Sequence, residues 1–222
     1  MPDGANTMRE ELGEDHWATL DAQCELGRIL MEQDRLSEAE KLISEALRNQ
    51  HIKYSDAFGK TIVFIKALAV VRTRQGEYAD ANDLFTEALK DRKHQFDENH
   101  PHTLGILNDI GVLRREQKNY AGAEKLLRQA LDGRRLKLGM DHPACFESMH
   151  ELAILYKEQG DYNKAEPLLQ EAVEGRRLKL GDTHPHTLKS INKLIALYEA
   201  WNKPEKANQW RAKLPLNQLK EQ

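Results

Sequence analysis

The chain repeats itself every 42 residues, and this periodicity constrains its fold more than any other feature of the sequence. One copy, HPHTLGILNDIGVLRREQKNYAGAEKLLRQALDGRRLKLGMD, begins at His100. The next, HPACFESMHELAILYKEQGDYNKAEPLLQEAVEGRRLKLGDT, begins at His142. A further copy begins at His184, and the same step backwards reaches Phe58 and His16. Self-similarity at a fixed period of about 20–50 residues indicates a stacked array of structural repeats.

Equivalent positions keep their character through five copies without an insertion. One such column of residues is always alanine, and another is always leucine or isoleucine. The two columns are Ala39, Ala81, Ala123, Ala165 and Ala207, and Leu26, Leu68, Ile110, Leu152 and Leu194. This register predicts that every copy packs in the same way.

Each copy carries two amphipathic helical patterns. In the third copy Leu104, Leu107 and Ile110 form one apolar stripe, and Ala123 and Leu127 belong to a second. The predicted helix pairs lie near 17–50, 58–96, 101–138, 143–180 and 185–214.

Glycine and asparagine residues separate the two helices of a copy. Gly76 and Gly160, with Asn119 and Asn202 one or two columns away, are expected to break the chain there. Gly139 follows the last leucine of a second helix, as a glycine at a helix C-terminus does.

These boundaries divide the chain into an N-terminal stub, five repeats and a polar tail. The segments are 1–15, 16–57, 58–99, 100–141, 142–183, 184–215 (with a C-terminal cap) and 216–222. The stub is predicted because residues 9–16, REELGEDH, match the ends of later second helices. We therefore expect residues 8–12 to be helical, to pack on the first repeat and to leave apolar surface open on their far side.

Composition argues against several classes of function. A net charge of −3 provides no basic field for nucleic acid or an anionic membrane. Cys24 and Cys145 lack ligand-like spacing, so we expect neither a disulfide nor a zinc framework and place the chain in the cytoplasm. We find no signal peptide, no membrane-spanning run and no phosphate-binding or catalytic motif, so we expect no cofactor and no enzyme activity.

Two recurrent sets of polar residues have competing interpretations. Histidines recur at the starts of the copies, but residues one repeat apart do not converge on a metal, so they are read as helix-start residues. Basic pairs end the second helices, and we read them as complementing the helix dipole rather than binding nucleic acid. These sets are His16, His100, His142 and His184, and Arg92-Lys93, Arg134-Arg135 and Arg176-Arg177.

The fourth copy resembles the core pattern of the tetratricopeptide repeat family. The positions that carry the resemblance are Met149, Leu152, Ala153, Tyr156, Ala165, Leu169 and Ala172. The 42-residue period and the Leu-Gly-x-x-His-Pro junctions resemble the longer subclass of kinesin light chains, and similar arrays occur in bacterial signalling proteins. The resemblance implies an all-α, right-handed superhelical solenoid of stacked antiparallel helix pairs.

The resemblance also implies a ligand-binding groove lined by the first helices. The candidate binding residues are Lys66, Val70, Asn108, Val112, Arg115, His150, Ile154, Lys157, Lys189 and Asn192. Because the middle positions are apolar and few acids are expected beside the basic flanks, we expect a protein or peptide ligand that is acidic and has apolar anchors. The alternative is that these side chains merely solvate a concave surface.

Three functions remain open at this point. The first is a scaffold that binds a peptide or partner domain in its groove. The second is a regulatory or sensor segment of a larger signalling effector, such as a kinase or protease. The third is association through the ends of the array, of which the N-terminal end is the more open.

Overall fold

The computed structural model describes residues 11–13, 16–53, 58–95 and 97–215. Within these residues the chain consists of helices and turns, with no strand. The ten helices that begin after residue 15 are α1 Trp17–Glu32, α2 Leu36–Lys53, α3 Phe58–Gln75, α4 Tyr78–Gln95, α5 Pro101–Glu116, α6 Tyr120–Leu138, α7 Pro143–Glu158, α8 Tyr162–Leu180, α9 Pro185–Ala200 and α10 Pro204–Arg211.

Consecutive helices pack as pairs, two pairs in one compact unit and three in another. The first unit, Met1–Glu98, contains α1 to α4, and the second, Asn99–Gln222, contains α5 to α10. Within each unit the second helix of a pair also packs on the first helix of the next pair. The predicted all-α solenoid of helix pairs is confirmed.

The alanine column lies where the helices of a pair approach closely. Ala39, Ala81, Ala123, Ala165 and Ala207 are all 0% exposed. A glycine of the adjoining first helix is equally constrained, because a Cβ built on Gly111 would lie 2.7 Å from Leu127 Cγ. Small residues at these positions therefore set the helix-pair spacing, as their register predicts.

The turn between the helices of a pair depends on one column with positive φ. Its members are Asp34 (60°), Gly76 (82°), Lys118 (62°), Gly160 (75°) and Asn202 (56°). Glycine and asparagine tolerate this left-handed conformation best, which explains the predicted breaks.

In the third repeat the turn residue with positive φ lies one position before the predicted one. In the third repeat Lys118, not Asn119, takes the left-handed conformation. Asn119 instead caps α6, where its Oδ1 accepts a hydrogen bond from the backbone N–H of Gly122 at 3.0 Å.

The recurrent histidines begin first helices, as expected. His100 and His184 each accept a hydrogen bond at Nδ1 from a backbone N–H two residues on, at 3.3 and 3.2 Å. His16 and His142 do the same. Each side chain thus satisfies one of the amide groups that a helix N-terminus leaves without an intrahelical partner.

The N-terminal stub lies mostly outside the described residues. Glu11 and Leu12 are helical, whereas residues 1–10, 14 and 15 are not described, and the same holds for the link 54–57 and the tail 216–222. The helix α1, which follows the stub, has an apolar side chain that is exposed to solvent. Ile29 is 45% exposed, whereas the equivalent Val71, Leu155 and Leu197 are 0% exposed. The segment boundaries themselves stay a prediction.

Candidate functional site

The predicted binding residues of the second unit lie on α5, α7 and α9, and α7 packs against both of the others. We call their shared face the first-helix surface. It comprises Asn108, Val112, Arg115, His150, Ile154, Lys157, Lys189 and Asn192. The remaining two candidates, Lys66 and Val70, are half-buried on α3 of the first unit.

Asn108 belongs to a buried polar network. Its Oδ1 accepts a hydrogen bond from Ser148 Oγ at 2.9 Å, and that hydroxyl accepts one from Arg134 Nη1 at 2.8 Å. Arg134 Nη1 also donates to the carbonyl oxygen of Ala144 at 2.7 Å. These bonds join α5, α6 and α7. Asn108 is only 6% exposed, so its side chain mainly holds these helices together and leaves little surface for a ligand.

The same network corrects one reading of the basic pairs. Arg134 and Arg176 are buried and donate hydrogen bonds to the following first helix, Arg176 to Ser190 Oγ. Their neighbours behave differently. Arg135 pairs with Glu171 at 2.8 Å, and Arg177 pairs with Glu174 at 3.0 Å. In these two pairs the first arginine therefore connects a second helix to the first helix of the next repeat, a role that the dipole reading did not include. The side chains of Arg92 and Lys93 lie outside the described residues.

Arg115 is buried among carboxylates. Its guanidinium lies 2.7 Å from Glu116, 2.8 Å from Glu151 and 3.5 Å from Glu158. Burial lowers the pKa of Arg115, but these carboxylates more than offset that effect and raise it above its usual value. Burial raises the pKa of Glu151, although Arg115 opposes the shift. The expectation of few acids beside this basic position was wrong.

Burial keeps the His150 imidazole of α7 neutral. Burial lowers the pKa of its imidazole to about 3, and the positive charges of Lys193, Arg176, Lys189 and Arg115 lower it further. Among the described residues neither His150 Nδ1 nor Asn192 Oδ1 has a hydrogen-bond partner, although both atoms are buried.

A shallow apolar depression of about 220 Å³ adjoins these residues. Its lining consists of Ala153, Ile154, Lys157, Glu158, Leu169 and Lys193. Two of these, Ile154 and Lys157, were predicted from the sequence. Glu158 and Lys193 were missed because the register places them beside the expected ligand positions and not on them.

Nothing in the described part of the chain is arranged for metal or thiol chemistry. No three histidine, cysteine or acidic side chains there are placed to hold a metal ion. Both cysteines are buried, and burial raises the pKa of Cys24 to about 11, which keeps its thiol protonated. Of the helices described, none has the length and apolar character that crossing a membrane requires.

Comparison with known proteins identifies the repeats. The tetratricopeptide repeat family model matches residues 62–136, 103–178 and 144–210. No curated protein matches the chain.

Solved structures share the fold at low sequence identity. Kinesin light chain TPR-like repeats of Podosopora anserina are 23% identical over 93% of this chain and 98% of theirs, with a TM-score of 0.63. BtubC (BKLC) from P. vanneervenii is 18% identical over 95% and 86%, with a TM-score of 0.67. A Rap protein complexed with Competence and Sporulation Factor is 14% identical over 96% and 68%, with a TM-score of 0.66.

Proposed function

The chain belongs to the tetratricopeptide repeat family, and we propose that its first-helix surface binds an extended peptide segment of a partner protein. Repeats of this family form a non-catalytic fold for protein–protein interaction. The observation that carries the proposal is the half-buried side chain of Ile154, which lines a depression bordered by charged residues.

Ile154 has the surroundings of a binding contact rather than of a core residue. The neighbouring Leu152, Ala153 and Leu155 are buried, whereas Ile154 keeps part of its surface open to the depression. Val112 holds the equivalent half-buried position on α5. Apolar side chains left partly open beside polar ones are typical of sites that bury a ligand's apolar groups.

The polar residues of the first-helix surface have two different roles in the proposed binding. Arg115 and Asn108 are tied into contacts between helices, so we assign them to holding the surface in shape. Lys157 is half-buried at the edge of the depression, where its charge is available to orient a ligand. Charges at an edge mainly raise association rates, and apolar anchors slow dissociation.

A preformed surface of stacked first helices is suited to an extended ligand. The Rap protein of similar fold forms a complex with Competence and Sporulation Factor, and this supports the proposal that the present array also binds a ligand. Lys66 and Val70 on α3 are proposed as an equivalent contact within the first unit.

Site-specific crosslinking tests this proposal. Peptides are selected on the full chain from a random display library, and a photoreactive residue then replaces either Val112 or Leu178. Leu178 is the control because it is 86% exposed on α8, a second helix. We expect the selected peptides to crosslink through position 112 and not through 178. Crosslinking from position 178 alone would show that the ligand binds another face.

A further inference from the structure

The exposed large apolar side chains of the second unit are concentrated at one edge. Among its described residues they are Leu136, Met140, Leu178 and Leu180, and we call these four residues the leucine edge. Leu136 and Leu178 lie in the last turns of α6 and α8 and are 79% and 86% exposed. A single exposed leucine is ordinary on a protein surface, but a set confined to one edge indicates an interaction site.

The packing of the repeat does not account for these leucines. The sequence RRLKLG occurs twice, at 134–139 and 176–181. Two other members of the first copy have structural roles, since Arg134 bonds to Ser148 and Gly139 ends α6 with a φ of 86°. The side chain of Leu136 is mostly in contact with solvent, and the same holds for Leu178 in the next copy. A contact outside the chain would give both leucines a partner.

An ion pair holds α6 beside α8 near the leucine edge. Arg135 Nη2 lies 2.8 Å from Glu171 Oε1. Leu136 directly follows Arg135, and Leu178 lies two helical turns beyond Glu171 on the same face of α8. Two turns rise about 11 Å along a helix. The two leucines therefore belong to one surface of the unit and not to opposite sides of it.

The charges beside the leucine edge are of both signs, and acids of the same unit neutralise its arginines. Arg135 pairs with Glu171, as described above. Arg177 pairs with Glu174 at 3.0 Å and with Asp182 at 2.5 Å. A surface with one dominant sign of charge would repel its own copy. The leucine edge has no such charge, so an apolar contact between two copies of it meets little electrostatic resistance.

We propose that the leucine edge binds the same edge of a second copy of this chain, with a two-fold axis relating the two copies. In such a contact one surface faces itself, so the leucines of both copies are covered together. Four apolar side chains per copy bury less than the roughly 800 Å² per partner of a stable interface, so we expect a weak dimer with a dissociation constant on the order of 0.1 mM.

This contact goes beyond the proposed peptide binding and does not rest on it. The leucine edge belongs to the second helices α6 and α8, whereas the first-helix surface lies on α5, α7 and α9. A peptide on the first-helix surface therefore does not need Leu136 or Leu178. Either activity can fail in experiment while the other holds.

Sedimentation velocity of the full chain at about 5 μM and about 200 μM tests the dimer. We expect a monomer at the lower concentration and a substantial dimer fraction at the higher one. Leu136→Ser and Leu178→Ser should each weaken association at least about tenfold, because each removes one leucine from both sides of a symmetric contact. Ile29→Ser is the matched control, since Ile29 is an exposed apolar residue of α1, and it should associate as the wild type does. Circular dichroism checks that all variants keep their helix content.

Three results would overturn the proposal. The first is a chain that stays monomeric at about 200 μM. The second is association that is lost in Ile29→Ser and kept in Leu136→Ser, which would place the contact at α1. The third is a monomer that cosediments with phosphatidylserine vesicles and loses this binding in Leu136→Ser, which would assign the leucine edge to a membrane surface.

A photoreactive residue in place of Leu136 identifies what the edge touches. The variant is mixed with isotope-labelled wild-type chain at about 200 μM, so that a link between two chains is recognised by its mass. We expect covalent dimers in which position 136 is joined to residues 135–141 or 177–182 of the labelled chain. Links that end on α1, or an absence of links between chains, would contradict the two-fold contact. Crosslinking of display peptides at Val112 is measured separately and decides the proposed function by itself.

Discussion

The hydroxyl of Tyr156 donates a hydrogen bond to Glu124 Oε1 at 2.7 Å, across the contact between one repeat and the next. The bond recurs in the following repeat, where Tyr198 donates to Glu166 Oε1 at 2.8 Å. In the first unit an ion pair replaces it, because Arg72 stands in the tyrosine column and lies 2.7 Å from Glu40. The three pairs occupy equivalent positions, so this contact is a property of the repeat and not of one residue type.

Removing the Tyr156 hydroxyl should therefore destabilise the second unit. We expect Tyr156→Phe to lower its free energy of unfolding by about 1–2 kcal/mol, because the Glu124 carboxylate and Arg128 lose a buried partner. Tyr162→Phe is the matched control, since its ring stacks on Trp201 and the substitution keeps the ring. Urea denaturation measures both. Equal losses for the two variants would show that the Tyr156 bond adds no stability.

The Arg115–Glu151 pair should be a stability element rather than a ligand contact. Arg115→Met leaves the largely buried carboxylate of Glu151 without its partner, at a cost of about 3 kcal/mol. Adding Glu151→Gln removes the stranded charge and should recover part of that loss. A double-mutant cycle on unfolding free energies measures the coupling. Strict additivity would mean that the two side chains do not depend on each other.

The neutral state of His150 should make the second unit sensitive to acid. Burial lowers the pKa of this imidazole from 6.5 to about 3. The unfolded chain therefore binds a proton that the folded chain does not, and stability falls as the pH drops from about 6.5 toward 3. The loss at pH 5 is on the order of 1–2 kcal/mol relative to neutral pH.

His150→Asn should remove this part of the acid sensitivity. Denaturation midpoints at pH 7 and pH 5 measure the effect, and His186→Asn, at an exposed position of α9, serves as the control. If the difference between the two pH values is as large in His150→Asn as in the wild type, the imidazole is not the group responsible.

The open face of α1 predicts a contrast within the first unit. Ile29 is 45% exposed and Ile43 is 0% exposed. We expect Ile43→Ala to cost about 2–5 kcal/mol and Ile29→Ala less than about 1 kcal/mol. Similar costs would indicate that Ile29 is covered in solution, either by residues 1–10 or by a second chain, and sedimentation at two concentrations would separate these cases.

The fold could be predicted from the sequence because its main determinants are local and recur. The alanine column, the histidine helix starts and the glycine-rich turns each act through neighbouring backbone or one adjoining helix. Their register therefore identifies buried positions such as Ala165 directly. The sequence pattern did not predict that Lys118, and not Asn119, takes the left-handed conformation at its turn. A lysine with positive φ has no characteristic sequence signal.

The site could be predicted only as a set of positions. The register places Arg115 on the first-helix surface. Whether its side chain is available to a ligand depends on Glu151 and Glu158, which approach it from α7. The same applies to His150, whose neutral state results from burial and from charges on three other helices. Such effects depend on distances between side chains of different helices, and these distances cannot be read from the period of the repeat.

Peptide dissociation from the first-helix surface tests the central claim most directly. The dissociation rate of a display-selected peptide is measured on the wild type, on Ile154→Asp and on Leu178→Asp, the last changing an exposed leucine of α8. If peptides bind beside the depression, Ile154→Asp should raise the dissociation rate about tenfold or more, and Leu178→Asp should leave it unchanged. An unchanged rate in Ile154→Asp, with the variant folded, would contradict the proposed binding surface.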